Sequence, residues 1–211
     1  MSLTVALLRA LSLLALASPL FVPRRRPAPE NRRTPDKTAH TRLAVFANAA
    51  ASGLFFPALF VFSGSTHEPY ALALGVAGCA IAVTGSVIVW KSRLELGPAW
   101  SFVAKASDQT GLITSGLYRL VRHPIYLGLS LLAIGQAVAF ESAPALLIVL
   151  TGVIPSFVWR VFEEERVLVS VFGAQYVSYR KQTKMFVPSH EKRMPLASLT
   201  PTRLARRVKV V

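Results

Sequence analysis

Two short stretches carry most of the candidate chemistry in this chain, and each lies at the edge of an apolar run. The first is Arg122-His123-Pro124-Ile125-Tyr126-Leu127-Gly128, preceded by Gly111-Leu112-Ile113 and Gly116-Leu117-Tyr118. Pro124 suits the first turn of a helix, where its missing N–H would have no intrahelical partner. Arg122 and His123 then stand at that helix's N-terminus beside free backbone donors. Tyr126 projects from the first turn, and Gly128 leaves space beside it. The second stretch is Arg160-Val161-Phe162-Glu163-Glu164-Glu165. If it is helical, Arg160 and Glu164 share a face. Such groups could form a polar pocket in which the paired glutamates suit a cationic ligand. Each also has a plain reading. Arg122 and His123 could mark a positive membrane boundary, and Arg160 with Glu164 could be an interfacial ion pair worth a few tenths of a kcal/mol. The three glutamates could open a solvated helix. Tyr118, Tyr126, Tyr176 and Tyr179 could all be interfacial anchors.

The elements that position these residues are apolar. Of the 211 residues, 53% are hydrophobic and 16% charged, against about 25% charged for a soluble domain. Yet the net charge is +14. Both facts fit a membrane protein with basic loops. Five apolar runs stand out: Leu3 to Val22, Leu43 to Phe62, Tyr70 to Trp90, Pro124 to Phe140 and Ala143 to Trp159. The first three reach the roughly 20 residues needed to cross a bilayer. The last two are shorter and separated only by Glu141 and Ser142, which reads as a tight helical hairpin. Pro144 and the charge of Glu141 argue against one continuous helix. A short hairpin returns the Arg160 to Glu165 segment to the membrane surface that holds His123 and Tyr126. The two stretches should therefore meet.

Placing 23 to 42, 91 to 123 and 160 to 211 on one side gathers 23 of the 24 lysines and arginines there, with Arg9 alone in the first run. The opposite loops hold only Glu68 and Glu141. The positive-inside rule makes the basic side cytoplasmic, and five spans put the N-terminus outside. Ala15-Leu16-Ala17 resembles a leader-cleavage site, but the positive charges follow the first run rather than precede it, so it is read as a retained span. The Pro- and Arg-rich linker from Pro23 reads as solvated against anionic headgroups. Gly78, Ala82 and Ser86 share one face of the third run, and Ala49 and Gly53 share one face of the second. Small faces of this kind read as packing within the bundle. Oligomeric state is left open. Cys79 reads as a buried, inert thiol.

The spacing Gly116-x-Tyr118-x3-Arg122-His123-Pro124-x-Tyr126-x-Gly128 is followed by the hairpin and then by Glu164-Glu165-x2-Leu168-x3-Phe172-Gly173-x2-Tyr176-x2-Tyr179. This combination resembles the isoprenylcysteine carboxyl methyltransferase family, to which phospholipid N-methyltransferases are related. The resemblance covers about Leu96 to Pro188. It implies an all-α, polytopic helix bundle of about five transmembrane helices, with cytoplasmic C-terminal segments covering a cofactor pocket. The domains expected are 1–95 for spans one to three, 96–190 for the methyltransferase core and 191–211 for a basic tail.

The implied cofactor is S-adenosylmethionine. Tyr118, His123, Pro124, Tyr126, Glu164 and Glu165 fall at or beside cofactor-contacting positions, and Thr110, Gly111, Leu112 and Ile113 match a stretch that contacts the cofactor through backbone. Arg160 matches an arginine that orients the substrate's polar end, and His123 is an alternative base for a neutral acceptor. A glutamine found upstream in some members has no counterpart near Val103 to Lys105. Methyl transfer from a sulfonium needs positioning and water exclusion rather than a metal. His40, His67, His123 and His190 show no metal-ligand spacing. The expected acceptor is a lipophilic carboxylate or thiol that enters from the bilayer.

Two other readings remain open to the same sequence. A membrane reductase of the sterol-reductase type would bind a nicotinamide cofactor, and titration with each cofactor separates the two. A non-catalytic adaptor would dock through the tail from Lys192 to Lys209, so that removing the tail would abolish its activity. No aromatic residue is interleaved with the tail's charges, which points to lipid headgroups rather than nucleic acid.

Overall fold

The structure is a computed structural model, described here for residues 3–17, 39–64, 70–97 and 111–186. Thr110, the region around Val103 to Lys105, most of the basic linker and the C-terminal tail lie outside the described residues. The helices are α1 (Leu3–Ala17), α2 (Ala39–Val61), α3 (Tyr70–Leu96), α4 (Pro124–Ala139), α5 (Ala143–Ile148), α6 (Ile154–Phe172) and α7 (Ala174–Gln182). A 3-10 turn spans Gly116–Arg119, and a π turn, Val149–Val153, joins α5 to α6.

The bundle is all-α, as expected. Leu43–Val61, Tyr70–Leu96 and the continuous stretch Ala143–Phe172 are long and apolar enough to cross a membrane; Leu3–Leu16 and Pro124–Ala139 are shorter apolar helices. The chain is an integral membrane protein. Of five expected spans, three reach crossing length among the described residues. Much outward-facing surface is apolar, including Phe46, Leu54, Phe60, Val76 and Leu147. Such faces are at home against lipid tails.

The hairpin forms where it was expected. Phe140 ends α4, and Glu141 turns the chain at φ +54, a left-handed conformation that costs a non-glycine residue about 1–3 kcal/mol. Ser142 then caps α5 by accepting from the Ala145 N–H at 3.3 Å. The π turn was not expected. It immediately precedes Pro155, whose ring has no N–H for the Thr151 carbonyl and would crowd it in a regular helix. The wider turn accommodates this and sets the rotation at which α6 presents Arg160 and Glu164.

α3 packs extensively along α4. Gly78 and Gly85 of α3 face Gly135 and Gly128 of α4 so closely that a Cβ on any of the four would strike the partner's backbone or the Val89 side chain. Small residues allow helices to approach this closely. Ser86 donates instead to the Ala15 carbonyl of α1 at 2.8 Å. One expectation is corrected. Ala49 is exposed, and Gly53 has nothing within 4 Å of where a Cβ would stand, so that face of α2 is not a packing face. Small-residue spacing permits an approach without supplying a partner.

α1 is a packed member of the bundle. Arg9 donates to the Ala139 carbonyl at 3.1 Å, to the Gly64 carbonyl at 2.8 Å and to Glu141 at 3.1 Å. Gln136 on α4 donates to the Ser12 carbonyl at 2.5 Å.

Candidate active site

Both chemistry-bearing stretches arrive at one end of the bundle, and they touch. Pro124 occupies the start of α4 as expected, which leaves His123 as its N-cap with the imidazole buried. The backbone there is fixed by the segment after α7. The Arg122 N–H donates to the Lys184 carbonyl at 2.9 Å and the His123 N–H to the Met185 carbonyl at 3.3 Å.

Across from α4, the first helical turns beyond Trp159 on α6 present Arg160, Glu164 and Glu165. His123 lies between the two glutamates. Its Nε2 is 3.3 Å from Glu165 Oε1 and its Nδ1 is 3.9 Å from Glu164 Oε2. Tyr126 donates a short hydrogen bond to Glu164 Oε1 and accepts from Arg160 Nε at 3.2 Å. Arg160 and Glu164 are 3.9 Å apart, with the hydroxyl of Tyr126 bonded to both. Phe157, one turn before Arg160, packs on the Tyr126 ring with centroids 5.5 Å apart.

Arg122 holds this arrangement from behind. Its Nε donates to Glu165 Oε1 at 2.8 Å, and its Nη1 reaches the carbonyls of Arg180 and Thr183. The sequence motif contains Arg122, but reading it as a positive boundary missed this anchoring role. The hydrogen bond that orients a charged group is often made by a residue one shell further out.

Tyr118 is carried by the 3-10 turn. It is buried, and its hydroxyl has no hydrogen-bond partner among the described residues. Its carbonyl accepts from Tyr179 Oη of α7 at 2.5 Å. Burial first, and then the Glu95 carboxylate, push its phenol well above the ordinary value, so it remains a protonated donor. Leu112 and Ile113 are half-buried, while Gly111 is exposed at φ +67.

Glu95, at the end of α3, escaped the sequence reading by one position, because the motif-bearing region was taken to open at Leu96. Its Oε2 accepts from the Leu117 N–H at 2.8 Å. A carboxylate closing an apolar span just ahead of Leu96-Gly97 was the available signal. Among the described residues, no group of three or more His, Cys, Asp or Glu side chains is placed to hold a metal.

The arrangement offers two partly exposed charges of opposite sign, Arg160 and Glu164, joined through a tyrosine, with a buried hydroxyl close by. Carboxylates and an uncommitted phenol suit a ligand that carries positive charge and hydrogen-bonding groups.

Comparison with known proteins falls on the same residues. The phospholipid methyltransferase family profile matches residues 74–175. The Protein-S-isoprenylcysteine O-methyltransferase of Saccharomyces cerevisiae is 28% identical over 135 residues, covering 63% of this chain and 55% of that protein. The Homo sapiens protein of the same name is 32% identical over 123 residues, covering 54% of this chain and 41% of its own length. The chain thus spans about half the length of such relatives. Among solved structures, the eukaryotic intramembrane Ras methyltransferase, an isoprenylcysteine carboxyl methyltransferase, superposes with a TM-score of 0.50 at 21% identity, covering 88% of this chain and 63% of that one. That likeness speaks for the fold.

Proposed function

We propose that the chain is an isoprenylcysteine carboxyl methyltransferase-like membrane enzyme that transfers the methyl group of S-adenosylmethionine to a lipophilic carboxylate or thiol, a reading supported by its similarity to phospholipid methyltransferases and to isoprenylcysteine O-methyltransferases. The observation that carries this reading is the direct meeting of His123 and Tyr126 with Glu164 and Arg160 inside the family-matched region.

The residues present fit the cofactor. When bound, S-adenosylmethionine supplies a methyl already activated on a sulfonium, so the protein's work is orientation and exclusion of water. Glu164 faces the ligand's positive charge, and Glu165, bound by Arg122, holds His123 beside it. The hydroxyl of Tyr118, without a hydrogen-bond partner among the described residues, is a buried donor suited to a ligand acceptor, since leaving such a bond unmade costs about 1–3 kcal/mol. His123, held between both glutamates, fixes the N-terminal edge of α4 and binds rather than acts as base. Gly111, Leu112 and Ile113 contribute backbone groups. Arg160, partly exposed and bonded to Tyr126, holds the acceptor's anionic end against the methyl. The acceptor's hydrophobic part remains among the lipid-facing helices and enters sideways from the bilayer. The basic bias of the loops supports a cytoplasmic side for this end of the bundle and the C-terminus.

The test is incubation of membranes carrying the protein with methyl-labelled S-adenosylmethionine and three acceptors: a prenylated cysteine with a free carboxylate, a prenyl thiol and an amine-headed phospholipid. Base-labile label on the prenylated cysteine, or label on the thiol, supports the reading. Label on the phospholipid amine reassigns the acceptor. No transfer to any of them, with oxidation of a nicotinamide cofactor instead, replaces the reading with that of a reductase.

A further inference from the structure

Glu95 has no role in the function proposed above, yet it touches the turn that carries Tyr118. Its Oε2 accepts from the Leu117 N–H at 2.8 Å. The preceding residue, Gly116, sits at φ +57, and the position its Cβ would take is filled by the Glu95 carboxylate. The absence of a side chain at Gly116 is therefore what lets the carboxylate reach the backbone. On the far side of the same turn, Tyr179 Oη holds the Tyr118 carbonyl at 2.5 Å. The turn is only four residues long and buries a single side chain, Tyr118. It is gripped from α3 by Glu95 and from α7 by Tyr179.

A short turn with so little core of its own cannot hold its orientation by packing. The charge-assisted hydrogen bond from Glu95 is therefore one of the two side-chain grips that set where its tyrosine points. We infer that Glu95 is a positioning residue for the cofactor site, fixing the Tyr118 hydroxyl toward the ligand by clamping the Leu117 amide. This rests on the reading of the site as an S-adenosylmethionine pocket. The essential feature is an acceptor oxygen held against the Leu117 amide, to which the carboxylate's charge adds strength.

The experiment compares the full chain, purified in lipid nanodiscs, with Glu95→Ala, Glu95→Gln and Gly116→Ala, measuring S-adenosylmethionine affinity, KM and kcat. Glu95→Ala should weaken binding about tenfold, the scale of a lost charge-assisted bond. KM for the cofactor should rise with it, while kcat at saturation holds within about twofold. Glu95→Gln keeps an acceptor oxygen without the charge and should fall between the parent and Glu95→Ala. Gly116→Ala displaces the carboxylate and should reproduce the loss.

Unchanged affinity in a folded Glu95→Ala protein, with only its melting temperature lowered, would overturn the inference and leave a structural cap. Glu95→Gln as weak as Glu95→Ala would also overturn it. If Glu95→Ala does not fold, Gly116→Ala with parental affinity overturns it and Gly116→Ala with weakened affinity supports it. A parent chain that binds no S-adenosylmethionine overturns this inference together with the function, and is seen before any variant is compared.

Discussion

The two ends of α4 each hold an arginine–glutamate pair, and they differ in how deeply the pair is buried. At the Ala139 end, Arg9 and Glu141 are 3.1 Å apart with side chains only 10% and 3% exposed. Arg9 also donates to two backbone carbonyls and lies 5.3 Å from the centroid of the Phe140 ring. Its partners belong to α4, to the following turn and to the residues after α2, so this pair ties three segments together. At the Pro124 end, Arg160 and Glu164 are 3.9 Å apart, with Tyr126 between them and side chains 18% and 24% exposed. That pair is longer and more accessible. An ionisable residue within a membrane span invites a functional reading by default. Here the same chemistry makes a clamp at one end and a candidate site at the other, and the difference lies in how deeply each pair is buried.

The comparison is most sharply broken at Arg9. Arg9→Leu leaves Glu141 buried without its cation and should cost about 3–5 kcal/mol, read as a lower midpoint of thermal unfolding in detergent. Replacing Glu141 by leucine as well should recover much of that loss. Cofactor affinity of the folded fraction should hardly move, and a large change there would erase the distinction between clamp and site. At the other end the expectation inverts. Glu164→Ala should weaken S-adenosylmethionine binding by about 1.5–3 kcal/mol, some tenfold to a hundredfold by calorimetry, with a smaller effect on the melting temperature. If neither Glu164→Ala nor Tyr126→Ala alters affinity, the pocket assignment is lost. A smaller effect belongs to the hairpin turn, where Ser142→Ala removes the α5 cap and should cost about 1 kcal/mol of stability without touching cofactor binding. The smallest is a control on a face engaged by neither end. Gly53→Ala should stabilise the helix by roughly 0.4–1 kcal/mol, since a Cβ there meets nothing. Destabilisation would reveal a partner for that face.

The Pro124 end was readable in advance because its residues recur at fixed local spacing. His123, Tyr126, Arg160, Glu164 and Glu165 were all named from the sequence, and the short hairpin required them to share a membrane surface. Arg122 and Glu95 were not given their roles, since each acts on a backbone or carboxylate partner many residues away. The Arg9 clamp was invisible for the same reason. Its arginine was recognised only as the one basic residue left within a span, and its glutamate as a charge in a loop 132 positions on.

The apolar runs, the basic bias of one set of loops, the proline that starts α4 and the proline and charge that break the hairpin were all fixed by local composition. Each depends on how a few neighbouring residues interact with lipid, water or their own backbone, and such preferences survive without knowledge of the rest of the chain. Tertiary structure alone decided that Gly78 and Gly85 have partners whereas Gly53 has none among the described residues, that the helix before Pro155 widens into a π turn, and that Arg9 is buried whereas Arg160 is partly exposed. Those outcomes depend on the rotation and approach of packed helices, and periodicity within a single helix carries no information about which neighbour will stand opposite it.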